Sequence, residues 1–595
     1  MSGSLLSERW KAIQRPSGLT TGLLTPWVSF SLVAKISVAL GGIDGGDYAF
    51  LDPVIDVKNS ITGTYVNEVT PDLLKKMQEG AIKGMIDALD DPYTVYVPPA
   101  ETTGFEKDLT GEYSGIGASV QISPDGYLQI VSPLEDSPAF RMGILAEDKV
   151  VEIEGKSTQG LSVDQCIDLL MGKAGTEVSI VIDRKGSKIP LKVVREKIKT
   201  RSIKGVHRDE ADSQQWKFLV DEKRGIAYVR IVQFTPGVTR EFANALMAAG
   251  VVEGKVKGLV IDLRWNPGGL LTEAIAIADL FLEDGIIVST KGRKFPERVE
   301  RAHKDGTLPN FPIAVLINGQ SASASEILAG ALTENNRAVA VGTRTYGKGS
   351  VQGVRGITVK EPDGTEKEAE LKITEQGYYL PSGRSITRKN ESTEWGVDPS
   401  KGFYVDMNDD ELVAMLKVRR DQEIIRNEKA NADKNPAAAP APEKSDKAAK
   451  PAEPPKWSDA EWSLEFFKDP QLAAAVHAMQ AKIDTGDWKK TGGEAGAIAA
   501  QVGSELGKLH TARDRLTREL IRIEKRSEAL EKGASVEAAA AGRDLWPDSV
   551  DLTGGKMQIF DKDGKLVATL DITSNTLERW LIDADVKKSK DEAAK

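Results

Sequence analysis

The sequence predicts a multidomain α+β chain with a layered α/β core near its middle, and three observations carry that expectation. At 595 residues the length suits about three or four domains. Between 217 and 404, β-rich runs ("GIAYVRIVQF", "GLVIDLRW", "PIAVLIN", "RAVAVG") alternate with helical patterns such as "REFANALMAAG" and "LLTEAIAIADLFL". Strands alternating with helices argue α/β layers. The flanks differ in texture: short β-type runs broken by glycine turns at 105–199, and a helical extension beyond residue 459.

Taken in order, residues 1–43 carry Arg9, Lys11 and Arg15 ahead of the mostly apolar "LTTGLLTPWVSFSLVA" (19–34). A basic segment followed by an apolar one reads as a signal peptide or membrane anchor. Pro26 and Lys35 interrupt the run, and a buried or interfacial helix fits as well. Residues 44–104 read as short helices, with apolar spacing in "LLKKMQEGAIKGMIDAL" (73–89) and a stop at "DDPYT" (90–94). The β-type module spans 105–199, with one helical piece at 162–172, and the α/β core spans 200–425. Residues 426–458 form a linker, because "NPAAAPAPEKSDKAAKPAEPP" (435–455) is Pro/Ala/Lys-rich. In the helical region 459–595, Val502, Leu506, Leu509, Leu516, Leu520, Ile523 and Leu530 follow 4-3 spacing, interrupted by Arg513 and Ser527. That pattern reads as a coiled coil or helical hairpin of about four heptads. A small β-hairpin comes next in "MQIFDKDGKLVATLDI" (557–572), turning at Asp563-Gly564.

The charge balance, 79 basic against 89 acidic residues for a net charge of -10, argues against nucleic acid as a partner, since no basic excess exists to neutralise phosphates. The single cysteine, Cys166, excludes an internal disulfide and a cysteine-built zinc site.

The stretch "NGQSASASEILAGAL" (318–332) opens a helix, with Ser323 and Glu326 spaced as a capping box. A nucleophilic serine at that position needs a base. None of His207, His303, His477 and His510 sits in a recognisable motif. Lys348, in "VGTRTYGKGSVQ" (341–352), comes after a strand expected at 337–342, and Gly347 and Gly349 let the chain turn its amine back toward Ser323. Gly342 to Lys348 also fits most of a phosphate-binding loop. That reading fails because Gly349 stands where Ser or Thr must hold magnesium, and "SVQGVRGITV" reads as a strand rather than a helix.

"SASASE", "GKGSVQ" and "DLRWNPGG" (262–269) together resemble the carboxyl-terminal processing peptidases, serine proteases of the S41 type, over residues 50 to 405. The resemblance implies a ClpP/crotonase-like α/β protease core, Ser323 as nucleophile, Lys348 as general base and Gln352 as the residue orienting the lysine, with no cofactor and no metal. Typical members read "DLRNNPGG", so Trp265 is a departure expected to affect substrate fit more than chemistry. Glu334 stands where many members carry aspartate and is assigned no catalytic role. A lysine base must be neutral, and bringing its pKa from about 10.4 to neutrality costs roughly 4 kcal/mol. Apolar neighbours such as Ile327, Leu328 and Val341 are expected to supply that desolvation. The oxyanion of acyl transfer needs backbone amides, for which Ala324 and Gly268 or Gly269 are the candidates. Ser321 and Ser325 read as structural.

"GEYSGIGASV" (111–120), "SPAFRMGILAEDKVVEIEGKSTQGLS" (137–162) and "SVDQCIDLLMG" resemble an inserted PDZ β-sandwich. The resemblance implies that a peptide C-terminus adds as a strand, with its carboxylate on the Gly115-Ile116-Gly117 loop. The expected function is a serine endopeptidase that cleaves proteins captured by their C-terminal tails. The competing expectation is an inactive PDZ scaffold assembled through the coiled coil. Expected partners are protein substrates with accessible tails, further copies of the chain (a dimer or larger) and an adaptor protein, in a bacterial-type cell envelope.

Overall fold

The computed structural model describes residues 48–425 and 455–493, apart from 103, 106–109, 362–363 and 390–391, and beyond them chiefly the strands at 556–560 and 566–571. The chain divides after Ala495 into two units. The expected signal or anchor at 19–34, the linker segment 435–454, nearly all of the heptad segment 502–530 and the Asp563-Gly564 turn lie outside the described residues. Among the described residues no helix is long and apolar enough to cross a membrane.

The N-terminal helices are α1 (Asp52–Thr64) and α2 (Pro71–Asp87), and neither buries a single residue. Thr70 starts α2 by accepting a hydrogen bond from the Leu73 amide at 3.3 Å, the usual way of satisfying a first-turn amide. The chain then forms β1 (Val95–Val97) and enters the module expected at 105–199. There β2 (Glu112–Gly115) pairs with β8 (Glu196–Lys199). Between them an antiparallel sheet runs β3 (Ala118–Ile122), β4 (Leu128–Pro133), β5 (Lys149–Ile153), β6 (Glu177–Arg184) and β7 (Ser187–Val194). A short helix α3 (Pro138–Arg141) and the longer α4 (Val163–Leu170) complete the module. Its core gathers Leu128, Ile130, Val150, Cys166 and Ile180.

The central sheet is parallel in the order β9 (Ile226–Ile231), β10 (Gly258–Asp262), β12 (Ile313–Ile317) and β13 (Ala338–Gly342). Every residue of β10 and β12 is buried, which explains their unbroken apolar sequence, since a parallel sheet is covered on both faces. One face carries α5 (Val238–Ala248), α6 (Leu271–Asp279) and α7 (Ala324–Glu334), whose Phe242, Ile277 and Leu328 join Leu259 and Val315 in one core. A second sheet is built on the long hairpin β14 (Ser350–Lys360) and β15 (Glu366–Tyr379), with β11 (Ile286–Lys291) and β1 both pairing with β15. Strands on both sides of the β2–β8 module in sequence therefore belong to the core.

The other face of the parallel sheet corrects the domain boundary expected at residue 458. After α8 (Asp409–Glu423) come α9 (Ala460–Phe467) and α10 (Pro470–Thr485). Ala475, Val476 and Met479 of α10 pack on Val260, Leu316 and Val341. A Cβ added to Gly258 would meet Met479 Sδ at 2.7 Å, so the helix lies directly on the strand. Residues 459–493 belong to the core, and only the chain beyond Ala495 forms a separate unit. There β16 (Lys556–Phe560) and β17 (Leu566–Asp571) pair antiparallel, in the span read as a hairpin.

Candidate active site

Ser323 caps α7 with φ +57° and ψ -117°, a backbone conformation that β-carbon sterics disfavour and that concentrates at functional positions. The surrounding contacts hold it. Ser321 Oγ donates to the Leu263 carbonyl (2.9 Å), Ser325 Oγ to the Asn266 carbonyl (3.0 Å), and the Ala322 amide to the same carbonyl (3.0 Å). Both flanking serines are fully buried and stitch the start of α7 to the "DLRWNPGG" turn.

Glu326 does more than cap. Its carboxylate, fully buried, accepts from the Ser323 amide (2.8 Å) and the Lys348 amide (2.9 Å) on one oxygen. The other oxygen accepts from the Gly347 amide (2.7 Å) and Thr345 Oγ1 (2.6 Å). Burial pushes the Glu326 carboxyl up, and these four hydrogen bonds oppose the rise. The hydroxyl of Tyr378 lies between the carbonyls of Ser323 (3.1 Å) and Lys348. The peptide units of Ser323 and Lys348 are thus pinned to the same carboxylate and the same phenol.

Burial, reinforced by the positive charge of Lys372, brings the Lys348 amine down to about 8, against the opposing pull of Glu326 and Asp91. The amine sits 4.7 Å from the centroid of the Tyr93 ring. Gln352 is not where it was expected to act. Its Nε2 donates to Ser350 Oγ (2.8 Å) and Thr374 Oγ1 (3.2 Å), and no hydrogen bond joins it to Lys348. The β14–β15 ladder shifts register between Val351 and Gln352, and the amide turns to the partner strand. Neither nearer histidine competes for the base role: His303 pairs with Asp279 at the surface (3.5 Å) and His207 stacks on Trp457 (4.2 Å).

The Pro-Gly-Gly turn lies against the serine, since a Cβ on Gly268 would come within 2.7 Å of Ser323 Cβ and 3.0 Å of the Ala324 amide. With φ of +101°, only glycine fits there without strain. The Gly268 amide, however, already donates to Asn266 Oδ1 at 2.8 Å, which removes it from the three expected oxyanion donors. Ala324 at the first turn of α7 and Gly269 remain. Trp265, also at positive φ (+59°), has its ring beside the guanidinium groups of Arg264 (5.5 Å) and Arg419 (5.0 Å).

Just upstream of this turn lies a buried ionic cluster. Asp262 accepts from Tyr228 (2.7 Å), Arg264 (2.8 Å) and Arg419 (2.9 Å), and Arg264 reaches Asp469 at the start of α10 (2.6 Å). Burial alone would raise the Asp262 carboxyl, but the guanidinium groups of Arg264 and Arg419 hold it well below the usual carboxylate range. Sequence reading missed the parts played by Glu326 and Tyr378. The one available signal was Glu326 itself, an acid just ahead of the apolar run Ile327 to Leu332 in a helix whose residues Ala324 to Leu332 are all buried. Tyr378 stands in no motif.

In the β2–β8 module, Gly115 is committed to the ladder with Glu196. The Ile116 side chain is buried in the module core, so only its backbone could meet a ligand. Gly117 has φ +77°, and a Cβ there would overlap Ser137 Cβ at 2.4 Å. Among the described residues no group of three or more His, Cys, Asp or Glu could hold a metal ion.

An α/β core bearing a strained serine at a helix start, with a β-rich module ahead of it, defines the class of modular serine peptidases. Residues 225–400 match peptidase family S41, 129–184 match a PDZ domain and 48–102 match the N-terminal domain of the activating protease CtpB. A carboxy-terminal-processing protease of Bartonella bacilliformis is 36% identical over 59% of this chain and 77% of its own length. A probable CtpA-like serine protease of Staphylococcus aureus is 30% identical over 70% of this chain and 78% of its own. The solved photosystem II D1 C-terminal processing protease aligns with 68% of this chain and 94% of its own at 23% identity, with a TM-score of 0.33 that carries no argument. This chain belongs to peptidase family S41 and is a C-terminal processing protease with a PDZ domain.

Proposed function

We propose that the protein cleaves peptide bonds with a Ser323–Lys348 dyad. One observation carries this reading: Glu326 and Tyr378 tie the two residues' peptide units together, while the Lys348 amine, brought down to about 8, has no hydrogen bond or ion pair among the described residues. With that pKa, about a tenth of the enzyme holds a neutral amine at pH 7. The neutral amine takes the proton of Ser323 Oγ as the oxygen attacks the scissile carbonyl carbon. The amides of Ala324 and Gly269 stabilise the resulting oxyanion. Collapse of the tetrahedral intermediate breaks the C–N bond, and the ammonium returns its proton to the departing amine. In the second half, water gives a proton to the amine and its hydroxyl to the acyl carbon; the C–Oγ bond then breaks as the ammonium returns its proton to Ser323 Oγ, and the released acid ionises to the new carboxylate. No step calls for a metal or cofactor.

Substrates are proteins whose C-terminal tails lie along β3, with the carboxylate toward the Ile116–Gly117 backbone. The domains we assign are the N-terminal helices (48–87), the PDZ module (112–199) and a protease core joining β1 and 200–425 with 459–493. Digestion of an unstructured protein by the wild-type chain, with Ser323→Ala as control, separates this enzyme from an inactive PDZ scaffold. Equal, negligible cleavage by both would leave the scaffold. A cell-envelope location and assembly through residues 502–530 belong to the same reading. Light scattering on the full chain and on one ending at Ala495 tests assembly, since equal subunit numbers would exclude the heptads as the device.

A further inference from the structure

The "DDPYT" turn, which the sequence offers only as a helix stop, reaches the catalytic lysine. Resting on the assignment of Lys348 as base, we propose that Tyr93 is a positioning residue for that lysine: its ring walls the amine off from water without giving it a partner that would hold its proton.

The turn is held firmly where it can do this. Asp90 takes φ +50°, and Asp91 then closes the loop on itself by accepting from the Tyr93 amide (3.1 Å) and from Thr94 Oγ1 (2.6 Å). The Thr374 amide of β15 donates to Thr94 Oγ1 at 3.1 Å, and β1 continues into the ladder with Val95 opposite Lys372. Thr374 also receives Gln352 (3.2 Å). Gln352 therefore acts on the strand that carries the turn rather than on the lysine itself. At the far end of the same hairpin, α2 is tied down by Lys75 to Glu361 at 3.2 Å. The turn that follows the N-terminal helices thus reaches Lys348 from a point in the sequence some 250 residues ahead of it.

The chemistry favours an aromatic at this place. A general-base lysine needs one free lone pair and no carboxylate partner, because a tight ion pair would hold the ammonium form. An aromatic face 4.7 Å away attracts the ammonium modestly but offers no lone pair that would bind a proton, and by covering the amine it adds to the burial that dominates the lowering. Burial holds the Tyr93 hydroxyl itself at about 12, so it stays neutral and does not compete. The other charged groups acting on the amine are Lys372 from β15, which favours the neutral form, and Glu326 from α7 and Asp91 from the turn, which favour the ammonium.

The test is the pH dependence of kcat/KM on a short peptide that bypasses the PDZ module, measured on the full chain. Tyr93→Phe keeps the ring and retains the wild-type profile. Tyr93→Ala admits water to the amine, moving the acidic limb up by about one pH unit and lowering the rate at pH 7 about tenfold with KM unchanged. Tyr93→Gln, which keeps part of the side-chain volume should Ala fail to fold, moves the limb the same way. Asp91→Asn removes an anion and moves it the opposite way, to lower pH. If Lys348→Ala is dead yet both Tyr93→Ala and Tyr93→Gln keep the wild-type limb, the proposal is overturned while the base assignment stands. If Lys348→Ala stays active, the base assignment itself falls.

Discussion

Ser323 starts a helix in which every residue from Ala324 to Leu332 is buried, at the end of a parallel sheet covered on both faces. Lys348 is itself half-buried, in a loop between the buried Gly347 and Gly349 on the way into β14, where most residues are partly or fully exposed. The serine side is thus placed by close packing, which transmits small volume changes stiffly, with the hydrogen bonds of Ser321, Ser325 and Glu326 adding to it. The lysine side is placed by polar contacts: the Glu326 carboxylate, the Tyr378 hydroxyl and the turn that carries Tyr93. On the proposed dyad, the nucleophile's position is therefore mainly a property of the core, whereas the base's position and protonation are set by a few replaceable groups.

The most direct challenge to this picture is to remove either partner. Ser323→Ala and Lys348→Ala each lower peptide cleavage by on the order of 10⁴-fold or more, because members of a catalytic unit fail together. Lys348→Arg is equally inactive, since guanidinium does not deprotonate near neutrality. Peptide hydrolysis with circular dichroism as a fold control checks all three. Residual activity in Lys348→Ala alone would show that the lysine side is dispensable and the contrast misplaced.

Glu326→Ala attacks the joint between the two sides. It leaves buried amides of Ser323, Gly347 and Lys348 without their acceptor, at a cost of about 3–5 kcal/mol in stability. We expect kcat to fall about 10²-fold in the folded fraction, which denaturant melts and kinetics on the same preparation would establish. A stable variant with full activity would mean that packing alone registers the lysine.

The pH response bears on the lysine side alone. Because the folded Lys348 pKa is lowered to about 8, kcat/KM rises with pH as the amine loses its proton, about tenfold per unit below that value, and levels off above it. Stability responds in the same direction. Between about 8 and the ordinary 10.5 the unfolded chain still binds the proton that the native state has released, so the fold gains stability as pH rises through that window. A rate profile flat between about pH 6 and 9 would contradict the lysine's role.

The smallest effect concerns the module remote from both sides. Amidating a substrate's C-terminus is expected to raise KM several-fold for tailed proteins and leave short peptides untouched. Steady-state kinetics on paired substrates would show it, and equal losses for both would assign the module to folding or gating. Gly117→Val is a poorer probe of the groove, because its side chain would collide with Ser137 and unsettle the module itself.

The sequence by itself determined the α/β alternation, the run of buried strands and the three motifs that bring Ser323, Lys348 and the glycine turn into one family pattern. These are local signals: apolar runs, turn glycines and spacings that survive without knowledge of neighbours. Only the tertiary structure decided what depends on distant partners. It gave the Gln352 amide to Thr374 and the Gly268 amide to Asn266, and put Glu326 between the backbone amides of Ser323 and Lys348. It also drew α10 from beyond the linker onto the core, while α1 and α2, similarly patterned, buried nothing. Periodicity shows that a helix has an apolar side but not which surface covers it, and a buried polar group is satisfied by whatever donor the fold delivers, however far away in the chain.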